Sequence, residues 1–238
     1  MGRKSAKIAN RKGAADKLKS QVYTKALADV TIAAKSGGGD PETNFLLKVA
    51  IERSKKFNVP KDNIERAITK GTGGDGQGYE DVTYEGYGPH GVAIYVEAST
   101  NNTTRTVANV KNYFNKNAGS LGTNGSLEFI FDRKAVFTLP EPEMSEDDFT
   151  LEMIDAGAEE IELEDGHYEV VGPMDAFGTI QTKLQELKIT PEEARLERIP
   201  TSYKEISEDA CLEVEKLLDT LENDDDILNV YHNMELSD

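Results

Sequence analysis

The stretch YEGYGPHGVAIYVE, residues 84–97, decides how the chain is organised. A turn that contains Gly88, Pro89 and Gly91 leads into an alternating apolar segment, a pattern typical of a β-hairpin. A basic segment with helical patterns precedes the stretch, and an acidic segment with both strand and helix patterns follows it. We therefore interpret residues 84–97 as the first hairpin of a central α/β domain.

The charge of the chain is divided at nearly the same place. Residues 1–70 contain 16 Lys and Arg against 7 Asp and Glu, whereas the remainder contains 11 against 37, so a net +9 faces a net −26. Such asymmetry indicates that one end meets a polyanion, which the acidic remainder repels. The alternative is a soluble protein whose charges are merely unevenly distributed.

The first twenty residues form the most basic part of the chain. They carry seven Lys and Arg but only one acidic side chain, Asp16, and they contain too few large aliphatic side chains to build a core. We predict a flexible arm that neutralises phosphates and becomes ordered when it binds. A solvated tail is the alternative.

Three helices are predicted between this arm and residue 71. The first runs from about Asp16 to Lys35, with an apolar face at helical spacing. The second is predicted to begin at Asp40-Pro41-Glu42, because Asp is a good N-cap and Pro suits the first helical position. The third runs from Lys61 to Lys70. The five glycines of residues 71–78 then predict a hinge, and they lack the flanking strand and helix of a phosphate-binding loop.

The remainder of the chain predicts an α+β fold with two α/β domains. Residues 79–132 read as β-β-α-β, with Val107 on the inward face of the helix and a strand over Leu127–Phe131. Residues 133–200 read as β-α-β-β-α-β, which is the ferredoxin-like order. A final helix and strand cannot bury their apolar faces alone. We therefore expect three domains: residues 1–76, helical; residues 79–132 plus 201–238, discontinuous; and residues 133–200, ferredoxin-like and inserted between its halves.

Basic side chains in and beyond the arm are the candidate contacts to nucleic acid. Those in the predicted helices can equally form a solvated face or pair with Glu52, Asp62 and Glu65. Arg105 lies near a helix start, where a cation is disfavoured, so it either serves a function or pairs with Glu85 or Glu97. The candidates are Arg3, Lys4, Lys7, Arg11, Lys12, Lys17, Lys19, Lys25, Lys55, Lys56, Lys61, Arg66, Arg105 and Lys111.

Enzymatic chemistry is not expected from the sequence. The single cysteine, Cys211, lies on the apolar stripe of a predicted helix and is interpreted as a core residue. The three histidines lie far apart, and the acidic runs have no calcium-loop spacing, so no metal and no cofactor is expected. The basic N-terminus lacks the apolar stretch of a secretory signal, and no segment reaches membrane-spanning length. We expect a cytoplasmic protein without a membrane partner.

The segment YEGYGPHGVAIYVEASTNNTTRT, residues 84–106, resembles the YebC family. That family includes bacterial proteins called probable transcriptional regulators and the mitochondrial translational activator of cytochrome c oxidase. Similarity extends over nearly the whole chain, including residues 40–44, 59–64 and 122–126. His90 departs from the glycine of many members, and the tryptophan often found near residue 6 is absent. The resemblance implies a helical domain, two α/β domains and a function linked to nucleic acid.

Two functions compete within that family: DNA-binding regulation of transcription, and assistance to the ribosome during difficult stretches such as consecutive prolines. The charge pattern favours RNA, because no helix clusters base-reading side chains and the acidic body hinders docking on duplex DNA. The expected partners are therefore the ribosome and its ribosomal or transfer RNA, with promoter DNA as the alternative. A third hypothesis is a metabolite sensor or adaptor that uses a cleft in the ferredoxin-like domain.

Overall fold

The computed structural model describes residues 15–73, 79–164 and 166–237, with the side chains of the first helix described from residue 22 onward. Its α-helices are α1 Ala15–Gly37, α2 Phe45–Lys56, α3 Lys61–Gly71, α4 Thr103–Lys116, α5 Glu146–Asp155, α6 Phe177–Glu186 and α7 Glu208–Glu222. Its strands are β1 Glu80–Tyr87, β2 Ala93–Thr100, β3 Ser120–Leu121, β4 Phe131–Pro140, β5 Glu160–Glu164, β6 His167–Pro173, β7 Glu193–Pro200, β8 Lys204–Ile206, β9 Ile227–His232 and β10 Met234–Leu236.

The start of α2 differs from its predicted position. The helix begins at Phe45, where the Asn44 side chain accepts a hydrogen bond from the Leu47 N–H at 3.1 Å. The amide of Asn44 also donates to the carbonyl oxygens of Ala33 and Gly38, both at 2.7 Å. Asp40 instead accepts from the Glu42 N–H at 3.0 Å, which closes a turn before the helix. Asn44 is favoured as the cap because it also satisfies carbonyls at the end of α1.

The described residues form two compact units. The first takes the described parts of Met1–Ala28, Gly76–Ile130 and Pro200–Asp238. The second takes the described parts of Asp29–Asp75 and Phe131–Ile199. The boundary within α1 differs from the three domains expected from the sequence, whose limits remain a prediction.

The first unit contains a four-stranded sheet in the order β3-β1-β2-β9 and a small parallel pair formed by β8 and β10. Strands β1 and β9 both pair antiparallel with β2, so the C-terminal segment completes the sheet that the 84–97 hairpin begins. Helices α4 and α7 contribute to one apolar core with this sheet. Its fully buried members include Ile94, Val96, Val110, Phe114, Val214, Leu217 and Leu221.

The hairpin itself has a tight conformation. His90 lies in the left-handed region at φ 60°, and Gly88 donates to the Val92 carbonyl at 2.8 Å. Gly86 is required by close packing, since a Cβ there would lie 2.6 Å from the Ser120 carbonyl oxygen. These residues therefore shape the turn and its contact with β3.

Two expectations for this part of the chain were wrong. Residues Glu128–Ile130 form a short 3₁₀ helix instead of a strand, and the next strand begins at Phe131. Val107 is 40% exposed, whereas Thr106 is completely buried. Val110 and Phe114 on the same helix are fully buried, and Thr106, one turn before Val110, completes this face because its hydroxyl bonds a carboxylate described below. The short strands β3, β8 and β10 were not predicted.

The second unit contains the ferredoxin-like arrangement. Its sheet has the order β5-β6-β4-β7, and β6 pairs antiparallel with both β4 and β5. Helices α5 and α6 pack on the sheet through Phe149, Met153, Ile180 and Leu184. The chain order β-α-β-β-α-β was therefore correctly predicted, as was the insertion of this segment between the two halves of the first sheet.

Candidate nucleic-acid interface

The predicted arm cannot be compared with the structure. Arg3, Lys4, Lys7, Arg11 and Lys12 lie outside the described residues. Lys17 and Lys19 lie within α1, but their side chains are not described. The assignment of these seven residues to nucleic acid therefore stays a prediction.

The candidate cations in the helical segment fall into two groups. Lys55 and Arg66 are exposed on α2 and α3. Lys61 lies 3.3 Å from Glu65 one turn later on α3, which is one of the pairings that the sequence allowed. Lys56 donates to Glu192 at 2.7 Å. Paired cations are thus interleaved with exposed ones along these two helices.

Two further candidates lie in the first unit. Lys25 on α1 forms an ion pair with Glu222 at 2.8 Å, although its side chain is 58% exposed. Lys111 is exposed on α4. Both side chains are therefore accessible to a large polyanion.

Arg53 is a charged residue that the sequence did not select as a candidate. Its guanidinium donates to Asp29 at 2.5 Å and pairs with Glu193 at 2.6 Å. Arg195 contacts Glu193 as well and bonds Glu197 at 2.9 Å. The five side chains alternate in charge and form one network. Because its other members are separated from Arg53 by 24 residues or more, no local pattern marks it.

Burial dominates the electrostatics of this network. The side chains of Arg53 and Asp29 are only 21% and 24% exposed. Burial raises the pKa of Asp29 despite the opposing charges of Arg53 and Arg195. Burial likewise lowers the pKa of Arg53, and its Nε is buried without a hydrogen-bond partner. Desolvation therefore outweighs the attraction between these two charges.

Arg105 forms a different kind of cluster in the first unit. It contacts both carboxylate oxygens of Asp226, at 2.8 and 3.1 Å. The sequence had offered Glu85 or Glu97 as its ion-pair partner. Thr106 donates to Asp226 at 2.8 Å. Asp226 lies in the loop directly before β9, which is distant in sequence from α4. The partner of Arg105 was therefore not predictable from local spacing.

The two carboxylates expected as partners of Arg105 have other roles. Glu85 is buried and accepts the N–H groups of Gly125 and Leu127 at 2.7 and 2.6 Å, which fastens the loop after β3. Glu97 accepts from the Asn229 amide at 3.2 Å on the neighbouring strand. Both therefore stabilise the first sheet and its loop.

Hydrogen bonds determine the protonation of the Asp226 cluster. Burial acts to raise the pKa of Asp226, but hydrogen bonds from Arg105, Thr106 and Thr100 bring it below its usual value. Tyr113 donates to Asp224 at 2.8 Å, and burial together with this bond raises the pKa of Tyr113 to about 12. The cluster thus holds the loop before β9 against α4 with the Asp226 carboxylate ionised.

Two cavities bear on the metabolite-sensor hypothesis. The larger, about 460 Å³, lies in the first unit between β1, the start of α4 and the loop after β3, where Thr83, Thr103, Thr104 and Thr123 line it. A cavity of about 310 Å³ lies in the ferredoxin-like region beside Thr179, Thr182 and Lys183. The larger cavity therefore lies in the first unit, whereas the sequence-based hypothesis placed the binding cleft in the ferredoxin-like domain.

The remaining chemical candidates were also located. Cys211 is buried in the first core, which confirms its interpretation. Among the residues that the structure describes, no three His, Cys, Asp or Glu side chains are grouped so as to hold a metal ion. None of the described helices combines the length and apolar character that crossing a bilayer requires.

Comparison with family models identifies the chain. The model for the TACO1/YebC N-terminal domain matches residues 3–74, and the model for the TACO1/YebC second and third domains matches residues 79–234. The chain belongs to the TACO1/YebC family. The resemblance stated from residues 84–106 is therefore confirmed.

Individual relatives agree with this membership. A protein of Parabacteroides distasonis named "probable transcriptional regulatory protein" is 46% identical over 220 residues, covering 92% of this chain and 90% of its own. The Bacillus subtilis "probable transcriptional regulatory protein YrbC" is 42% identical over 229 residues, covering 95% of both chains. The crystal structure of a conserved hypothetical protein from Aquifex aeolicus superposes with a TM-score of 0.76 at 35% identity, covering 98% of this chain and 97% of that one.

The segments that carry the family resemblance map onto the hydrogen bonds described above. Arg105 and Thr106 bond Asp226, and the loop at residues 122–126 is held by Glu85. The most recognisable segments of the sequence therefore stabilise the fold of the first unit. They do not by themselves mark a ligand site.

Proposed function

We propose that this protein is a non-enzymatic, nucleic-acid-binding regulator of gene expression, and specifically a ribosome-associated translation factor that relieves stalling. It contacts ribosomal or transfer RNA through its basic N-terminal segment. The observation that carries the proposal is the division of charge, a net +9 over residues 1–70 against a net −26 beyond them. The names of the relatives support the broader class of regulator.

The charge division restricts how the protein meets RNA. Lys and Arg bind phosphate oxygens without reading sequence, so a short basic segment is sufficient for affinity. The acidic remainder is repelled by the same phosphates and stays outside a crowded RNA cavity. A folded acidic body carrying a basic N-terminal segment fits this mode of binding better than it fits docking along a duplex.

The described ion pairs rank the candidate residues. Lys25, Lys56, Lys61 and Arg105 each lie against a carboxylate, which reduces the charge that they offer to a phosphate. Lys55, Arg66 and Lys111 are exposed, and we rank them second, after the residues of the arm. We assign the principal contacts to seven residues: Arg3, Lys4, Lys7, Arg11, Lys12, Lys17 and Lys19.

The test is the salt dependence of binding to labelled single-stranded RNA. Replacing Arg3, Lys4, Lys7, Arg11 and Lys12 by Gln should reduce the slope of log K against log salt by about 0.7 for each lost contact. A control variant removes the same charge from five exposed cations of the acidic region, and its slope should stay close to that of the wild type. The control positions are Lys116, Arg133, Lys188, Lys204 and Lys216.

Sedimentation distinguishes the translation role from other forms of RNA binding. We expect the wild type to migrate with ribosomes in a sucrose gradient of cell lysate, and to leave those fractions after RNase treatment. The five-residue arm variant should not migrate with them, whereas the control variant should. An arm variant that still sediments with ribosomes and keeps the wild-type salt slope contradicts the proposal.

DNA-binding regulation of transcription is the second candidate, because the relatives are named probable transcriptional regulatory proteins. Retention on promoter DNA at physiological salt, without a ribosome peak, would favour it. A small-molecule sensor is the third, and the cavity of about 460 Å³ is the feature that favours it. Absence of both ribosome binding and DNA binding would favour the small-molecule sensor.

A further inference from the structure

The last turn of α2 presents three cations, and two of them are held by neighbouring carboxylates. Arg53 pairs with Glu193 at 2.6 Å, and Lys56 donates to Glu192 at 2.7 Å. Glu193 is the first residue of β7, and Glu192 directly precedes it. Lys55, between the two paired cations, remains exposed.

Two ion pairs join the last turn of α2 to the residues at the start of β7. The described apolar core of the ferredoxin-like region extends from Ala135 to Leu184 and contains no residue of α2. The buried residues of α2, which include Leu47 and Val49, are likewise absent from the core of the first sheet. The ion pairs themselves can open and exchange partners, because water or another anion can solvate the separated charges.

The chemistry of this contact also suits exchange with another anion. A guanidinium binds phosphate and carboxylate with the same forked geometry, and an ammonium binds either as a point charge. The Arg53 guanidinium is incompletely satisfied in the present arrangement, since its buried Nε has no hydrogen-bond partner. The carboxylate of Glu192 lies in the position that a phosphate oxygen would take beside Lys56.

We infer that Glu192 and Glu193 act as a carboxylate clamp that covers a phosphate-binding face of α2, formed by Arg53 and Lys56. Nucleic-acid phosphates replace the two carboxylates when the protein binds, and α2 then separates from β7. The inference rests on the proposed function for the identity of the ligand. It adds a second RNA contact and a means of suppressing non-specific binding, because only a dense array of phosphates displaces both carboxylates together.

The first measurement compares RNA affinity between charge-matched variants of the full-length chain. In Glu192→Gln/Glu193→Gln, the clamp loses its charge while the side-chain shapes are kept. We expect this variant to bind a labelled oligouridylate about fivefold more tightly than the wild type, as the loss of two weak ion pairs allows. The control is Glu162→Gln/Glu164→Gln, which removes the same charge from exposed positions on β5 and should change affinity much less.

Adding Lys56→Gln to the clamp variant provides the reciprocal test. If the uncovered face binds phosphates, this combined variant should return to about the wild-type affinity or below it. If the gain arose merely from a lower overall negative charge, the control should show the same gain as the clamp variant. Equal affinities of the clamp and control variants would overturn the inference.

The second measurement follows separation of α2 without depending on RNA. Spin labels are attached at Lys48→Cys on α2 and Gln185→Cys on α6, both exposed positions, in a chain that carries Cys211→Ala. Pulsed-EPR distances should broaden in the clamp variant, and in the wild type when RNA is added, but not in the control. An unchanged distribution in the clamp variant would overturn the inference.

The two measurements separate failure of the inference from failure of the proposed function. If neither the wild type nor the clamp variant binds RNA, the proposed function fails and exchange for phosphate is overturned with it. If the wild type binds RNA through its arm while the distances and the clamp-variant affinity do not change, the proposed function stands and the clamp is wrong.

Discussion

Arg53 and Arg105 each anchor a cluster of charged and polar side chains, but the two clusters differ in electrostatic character. Arg53 and Asp29 are largely buried, and burial raises the pKa of Asp29. Arg105 is half exposed, and hydrogen bonds to Asp226 lower the pKa of that carboxylate. An arginine favours ionisation of the aspartate in both clusters, but burial outweighs that effect at Asp29 and does not at Asp226.

The difference shows what each cluster contributes. Around Asp226, Thr100 and Thr106 supply hydrogen bonds that compensate the loss of water, so the ionised carboxylate stabilises the loop before β9. Around Asp29, ion pairs only partly compensate the desolvation of both charges. The first cluster is suited to holding a loop permanently, and the second to a contact that exchanges partners.

The largest effect that tests this comparison is expected from Arg53→Met. The substitution leaves Asp29 in a largely buried position without its main counter-charge, which we expect to reduce the free energy of unfolding by about 3 kcal/mol. Urea unfolding of the full-length protein measures this value.

The double variant Asp29→Asn/Arg53→Met should recover much of that loss, because no uncompensated charge remains. Arg66→Met, at an exposed position on α3, is the matched control and should change stability by less than about 0.5 kcal/mol. Equal losses in Arg53→Met and the double variant would mean that packing, and not charge, governs the Arg53 network.

A smaller effect is expected from Asp226→Ala. The substitution removes the charged acceptor of the buried Thr106 hydroxyl, and a hydrogen bond to a charged group contributes about 2 kcal/mol. Urea unfolding again measures the loss. Arg105→Gln should cost less than Asp226→Ala, because the exposed guanidinium is solvated by water and screened by salt. If Arg105→Gln lost more stability than Asp226→Ala, the ion pair of Arg105 with Asp226, and not the hydrogen bond from Thr106, would be the main stabilising contact.

The pH dependence of stability should have opposite signs at the two aspartates. Because the folded-state pKa of Asp29 is raised, its contribution falls as pH rises from the ordinary carboxyl pKa through the raised value. Because the folded-state pKa of Asp226 is lowered, its contribution is present above the ordinary carboxyl pKa and falls as pH decreases through the lowered value.

Unfolding measured across the acidic range checks these signs in single variants. Relative to the wild type, Asp29→Asn should gain stability as pH rises from the ordinary carboxyl pKa through the raised pKa of Asp29. Asp226→Asn should lose stability relative to the wild type as pH rises from the lowered pKa of Asp226 to the ordinary carboxyl pKa. Parallel curves for the two variants would contradict the contrast between the clusters.

Much of the fold was predictable because it follows from local patterns. Ser145 and Ser207 cap α5 and α7, a local preference of serine. The β-α-β-β-α-β order of the ferredoxin-like region was predicted from local sequence patterns. The candidate interface was less predictable. The ion pair of Lys61 with Glu65 was one of the alternatives that the sequence allowed, because the two residues are one helical turn apart. The pairing of Arg105 with Asp226 spans 121 residues and required the strand β9 to be placed beside β2.

Element order, the charge division and family membership follow from residues near one another in the chain, because helix periodicity, strand alternation and composition are local properties. The choice of Asn44 over Asp40 as a cap, the inward turn of Thr106 and the partners of Arg53 depend on groups brought together by folding. Buried polar groups must find hydrogen-bond partners wherever the fold supplies them, and long-range packing determines which partners those are.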